Sequence, residues 1–163
     1  MLEKEFNTIV RRSLEREGGF GFKIPDPNKS VFRAGSGAIK NPFDGFGVNC
    51  DRAIYWESKI FHGRNFGIDE MRQHQIDNLK KIWDMEFCSF DERKYLPIIL
   101  VGRPIEKGMR CYAILPNVLV AKEKIDLNDL PFAPIIKKEL LINWKKNPIE
   151  GLTPIKFLLE GQI

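Results

Sequence analysis

The stretch at 42–59, PFDGFGVNCDRAIYWESK, restricts this chain more than any other. Residues 53–60 alternate with a period of two, the signature of a half-buried β-strand. Tyr55, Glu57 and Lys59 then face one way, and Ile54, Trp56, Ser58 and Ile60 the other. Residues 43–48 read as a partner strand and 49–52 as the turn between them. A hairpin centred on Cys50 and Asp51 sets Asp44 directly across from Glu57, with paired Cβ atoms roughly 4.5–5.5 Å apart. Carboxylates that close repel unless something positive lies between them. A divalent cation with oxygen ligands fits such a gap, and Lys59 projects from the same face two residues on. Two acids, a metal and an ammonium are a set that activates water against a phosphodiester.

Composition sets outer limits. A length of 163 residues suits one domain with a real core. The formal charge of +4 and a pI near 9.0 are compatible with a polyanionic partner and too mild to demonstrate one. Cys50, Cys88 and Cys111 are odd in number and lack metal-site spacing, so they read as reduced thiols of a cytoplasmic protein. No signal peptide and no apolar run of about 20 residues is present, which predicts no membrane association.

Along the chain, Leu2, Phe6, Ile9, Val10, Ser13 and Leu14 trace one helical face, ended by Gly18 and Gly19. The outer face carries Arg11, Arg12 and Arg16, either a solvated surface or a phosphate contact. Glu3 and Glu5 lie in the first turn, where the helix dipole already favours acids. Residues 20–24 suit a short strand. The loop at 25–41 is punctuated by Pro25, Pro27, Gly35 and Gly37, and its Lys29, Arg33 and Lys40 outnumber Asp26. It either grips a nucleic-acid backbone or is simply solvated.

Residues 68–86 read as the longest helix, with Met71, Gln75, Leu79 and Ile82 in one stripe. Gln75 interrupts that apolar face, so its amide requires a partner, either at the carboxylate cleft or on a stray backbone group. His74 reads as a packing or surface histidine. Residues 95–101 and 109–115 form a second hairpin around 102–108, and 118–121 suit a further strand. Pro134 opens a helix to Lys146, and 153–161 (TPIKFLLEG) a last short one. The expected fold is α/β, a mixed sheet of about five strands flanked by helices.

A second Glu-x-Lys, at Glu92 and Lys94, lies in a polar run without alternation or an acid across a turn. The triple of Asp44, Glu57 and Lys59 has both. In that setting the sequence resembles the PD-(D/E)XK nuclease superfamily. Within it, Asp44, Glu57 and Lys59 followed by FGIDEMRQHQIDNLKKI resemble the RecU-type Holliday junction resolvases, also called penicillin-binding-protein-related factor A. Phe66, His74, Gln75 and Ile76 fall at distances similar to the family's Phe and His-Gln-Ile. The likeness is clearest over 40–120. It differs in the short Gly-rich segment before Asp44, where the family has a long basic stalk, and in Ser58, where the family has Ala.

The resemblance implies a restriction-endonuclease-like three-layer core. It implies Mg²⁺, with Mn²⁺ able to substitute, held by Asp44, Glu57 and the backbone at Ser58, with Glu5 reaching a second ion. Lys59 would act on the attacking water with support from Gln75, while Arg12, Lys23, Lys29, Arg33 and Lys40 would track DNA phosphates. It further implies a homodimer acting on four-way junctions in a bacterial cytoplasm, or encoded by a phage. Two other readings remain: a nuclease of flap, single-strand or restriction type, and a nucleic-acid-binding module with a decayed site.

Overall fold

The computed structural model describes residues 1–25, 41–49 and 51–163. It is built on a mixed sheet with helices on both faces. The sheet strands are β1 (Phe20–Lys23), β2 (Gly45–Val48), β3 (Ala53–Ile60), β5 (Tyr95–Ile105), β6 (Gly108–Ile114), β8 (Ala133–Ile136) and β9 (Glu139–Leu140), in the order β1-β2-β3-β5-β6-β8-β9. β3 and β5 run parallel and every other neighbouring pair is antiparallel. Between the parallel strands the chain makes β4 (Asn65–Gly67) and α2 (Gln73–Asp84). β4 pairs with β7 (Lys124–Asp126) away from the main sheet.

Strand alternation divides the core in two. On one face Ile54, Trp56, Leu96, Ile98 and Leu100 pack with Phe6, Ile9, Val10 and Leu14 of α1 (Glu3–Arg16). On the other, Ile99, Val101 and Tyr112 meet Ile76 and Leu79 of α2 and Leu119 of α3 (Pro116–Lys122). This is the three-layer α/β core expected from the sequence, with seven sheet strands instead of about five. Gly45 and Gly47 admit the close approach of α1 and Trp56: a Cβ on Gly45 would collide with the Trp56 ring, and one on Gly47 with Leu14. Gly18, at φ +78°, turns the chain out of α1 as expected.

Four expected elements differ. Residues 134–146 are not a helix: β8 and β9 form a hairpin, followed by β10 (Ile142–Asn143), which pairs in parallel with β11 (Thr153–Pro154). Ala133, Ile135, Leu140, Ile142 and Trp144 are buried at strand-like spacing, and Lys137 and Lys138 both take positive φ, 52° and 63°, at the turn. Residues 118–121 lie in α3, started by Pro116 at its first turn, and not in a strand. The long helix is broken: a 3₁₀ turn at Ile68–Glu70 and an extended Met71 precede α2. The second hairpin turns more tightly than expected, since β5 and β6 stay paired out to Ile105 and Gly108. A short helix α4 (Ile155–Leu158) closes the described chain.

Cys88 is exposed and Cys111 buried, both as free thiols. Among the described residues no helix is long and apolar enough to cross a membrane.

Candidate active site

The hairpin of β2 and β3 has the register read from the sequence: Gly45 pairs with Trp56 and Phe46 with Tyr55. β2 ends there, while β3 continues beside β5 to Ile60, so the last part of β3 has an open edge toward β2. Asp44 fills the first position of that edge. Its amide donates to the Trp56 carbonyl at 3.0 Å, and its Oδ2 accepts from the Ser58 amide at 3.0 Å and the Ser58 hydroxyl at 2.9 Å. A carboxylate thus replaces the next rung of the ladder. Because a strand residue directs its N–H and C=O to the same side, the Ser58 carbonyl also points past the end of β2 toward Asp44.

Asp44 is not directly across from Glu57 as the sequence suggested, because the ladder breaks at Asp44 and its amide bonds the Trp56 carbonyl instead; Glu57, beside Ser58, is fully buried. Neither of its oxygens has a hydrogen-bond partner among the described residues, although Lys59 Nζ stands 3.1 Å from Oε1 as an ion pair. Burial raises the Glu57 carboxyl first, the adjacent Asp44 charge raises it further, and the Lys59 ammonium pulls it back, leaving it at about 7. Two acids that repel, one of them desolvated with Oε2 unpartnered among the described residues, suit a cation. Among the described residues no third Asp, Glu, His or Cys joins them as a metal cluster. A cation there would have two carboxylates and a backbone carbonyl as its protein donors, a hard-oxygen set of the kind that suits Mg²⁺ or Mn²⁺.

The sequence gives no sign of the residue that orients Asp44. Asn7, on the buried face of α1, donates from Nδ2 to Asp44 Oδ2 at 3.1 Å and accepts the Trp56 indole Nε1 at 2.7 Å. Its amide is thereby held from both ends. Both its partners come from the distant hairpin, so nothing local in the sequence marks it.

The α1 acids are placed differently from expectation. Glu5 is exposed, and its Oε2 accepts the Leu2 amide at 3.0 Å, reaching back as a helix-capping acid does. Glu3 is the acid that approaches the site, 4.0 Å from Lys59 Nζ. Gln75 is buried on α2, with Oε1 unpartnered among the described residues. Its neighbour His74 donates from Nε2 to the Asn41 carbonyl at 3.1 Å, tying the start of α2 to the chain just before Asp44.

Of the expected phosphate contacts, Lys23 ends β1 opposite Gly45, and Arg12 is exposed on α1. Lys29, Arg33 and Lys40 lie outside the described residues. Arg16 serves the fold instead, donating to the Leu140 and Ile142 carbonyls at 3.0 and 2.7 Å.

No family model matches the chain, and no curated protein does. Among solved structures it is similar to Hjc, a Holliday junction resolvase from the archaeal hyperthermophile Archaeoglobus fulgidus. The TM-score is 0.46 and the identity 15%, over 77% of this chain and 88% of that one.

Proposed function

We propose that this chain is a divalent-metal-dependent endonuclease that hydrolyses phosphodiesters in branched DNA. One observation carries the reading: a fully buried Glu57 beside the Asp44 carboxylate, with the Lys59 ammonium 3.1 Å from its Oε1. The sequence resemblance to PD-(D/E)XK nucleases of RecU type supports it from the same three residues.

Asp44, Glu57 and the Ser58 carbonyl would hold Mg²⁺, or Mn²⁺ in its place. When bound, the ion supplies a water of lowered pKa and neutralises phosphate charge. Asp44 is kept in position by Asn7 and Ser58, so its other oxygen faces the ion without rotating. Lys59 orients the attacking water and offsets charge that develops on the phosphorus-bound oxygens. Glu3 and Glu57 anchor Lys59, and Gln75 braces the lysine or a neighbouring water from α2. Lys23 and Arg12, with Lys29, Arg33 and Lys40, would follow backbone phosphates and make binding salt-dependent. A homodimer would place two such sites on one junction.

The test is cleavage of a synthetic four-way junction beside matched duplex, flap and single-strand controls. Paired nicking that requires Mg²⁺, stops in EDTA and is abolished by Asp44→Asn and by Lys59→Ala supports the proposal. Cleavage indifferent to branching removes the junction preference. Activity untouched by both substitutions removes the site.

A further inference from the structure

The site lies at one end of an aromatic surface that its chemistry leaves unexplained. α1 covers one face of β1, β2 and β3, whereas on the other face α2 packs mainly over β5. Among the described residues, what is left uncovered beside the hairpin is lined by rings. The Phe22 and Phe46 centroids are 5.8 Å apart, Phe46 and Tyr55 stack at 6.5 Å, and Phe20 meets Phe46 edge-on at 6.3 Å. Phe20 and Phe22 are 53% and 50% exposed, on the edge strand of the sheet. Apolar rings left open to water on a soluble fold mark a binding surface.

Register connects this surface to the acids. Phe22 pairs with Phe46, and Phe46 with Tyr55. On β3, Glu57 and then Lys59 follow Tyr55 at the same strand alternation, and Asp44 stands just before β2 with its carboxylate bonded to Ser58 between them. Rows on one face are two residues, or roughly 7 Å, apart. A polymer with a phosphate at the acid pair therefore has its adjoining units over the rings. None of these ring-bearing rows holds an acidic side chain, so a polyanion meets no repulsion there before reaching Asp44 and Glu57.

We propose that the Phe20, Phe22, Phe46 and Tyr55 surface stacks unpaired bases of a DNA strand whose phosphate lies at the acid pair. This rests on the nuclease reading and narrows its substrate to DNA with bases unpaired beside the cut, as at a branch or single-stranded end. Stacking on rings tolerates any base, because every base has a π-face, and it excludes intact duplex, whose faces are already stacked.

The test is fluorescence anisotropy of the full chain in EDTA, with labelled oligothymidylate and a blunt duplex of equal length. Phe20→Ala and Phe22→Ala should each weaken oligothymidylate binding by about ten-fold and leave duplex binding unchanged. Phe22→Leu, which keeps apolar area but not the ring, should weaken it as well. Phe87→Ala, at a ring 97% exposed between α2 and β5, should bind as wild type. Wild-type binding by the Phe20 and Phe22 variants overturns the proposal, as does equal loss on both DNAs. So does wild-type single-strand binding accompanied by a shift from dimer to monomer in sedimentation, which would make the surface a contact between copies. Cleavage in Mg²⁺ is scored separately. Ring-dependent binding without cleavage removes the nuclease reading alone, and cleavage with ring-independent binding removes this proposal alone.

Discussion

Glu57→Gln gives the most direct energetic consequence of the site. The folded protein holds the Glu57 carboxyl at about 7, against an ordinary 4.5, chiefly because it is desolvated and then because Asp44 is adjacent. A raised carboxyl pKa means the folded state keeps a proton that the unfolded chain releases. Below pH 4.5 both states are protonated and the group is neutral to stability. Between pH 4.5 and 7 the unfolded chain loses its proton first, so stability falls as pH rises. At 1.36 kcal/mol per unit the full loss is about 3 kcal/mol. Its side chain is only 1% exposed, so solvent screening takes little from that figure. The amide of Glu57→Gln does not titrate. Urea unfolding in EDTA at pH 4.5, 6 and 8 should show the variant gaining about 3 kcal/mol on wild type across the series. Saturating Mn²⁺ should reverse the gain at pH 8 by stabilising only the wild-type carboxylate. A wild-type-minus-variant difference that is flat with pH would refute the reasoning, because Glu57 would then ionise as easily in the fold as out of it.

Asn7→Ala removes a donor to Asp44 and leaves the buried Trp56 indole unpaired. It should lose about 1–3 kcal/mol in thermal or urea unfolding and raise the Mg²⁺ concentration needed for half-maximal cleavage. At the β8–β9 turn, replacing Lys138, at φ 63°, with Gly should stabilise by about 1 kcal/mol, read as a higher urea midpoint at constant m-value.

The β2–β3 register was legible because strand alternation and a short turn leave one pairing that buries Ile54 and Trp56 together, but the break in it at Asp44 was not. The Ser58 bonds to Asp44 were beyond it, since a side chain that completes a ladder has no spacing of its own. The 134–146 segment misled for a related reason. Its Ile135, Leu141, Ile142 and Trp144 satisfy a loose helical spacing, and a turn of two lysines lacks the Asn-Gly chemistry that marks a hairpin. Val118, Leu119 and Val120 have strand-like propensity, which Pro116 at a helix start and the burial of Leu119 against the sheet override. Glu3 and Glu5 are two residues apart on a helix and thus on different faces, and composition could not tell which one turns to Lys59. Asn7 acquires meaning only where α1 crosses the hairpin.

Calorimetric titration of Mn²⁺ into the full chain tests the central claim, that Asp44 and Glu57 together hold a divalent cation. The predicted result is saturable binding at pH 8 that weakens as pH falls through 7, where Glu57 takes up its proton, and that disappears in both Asp44→Asn and Glu57→Gln. Binding of wild-type strength in either variant would contradict it, and so would a wild-type protein that binds no Mn²⁺ at pH 8.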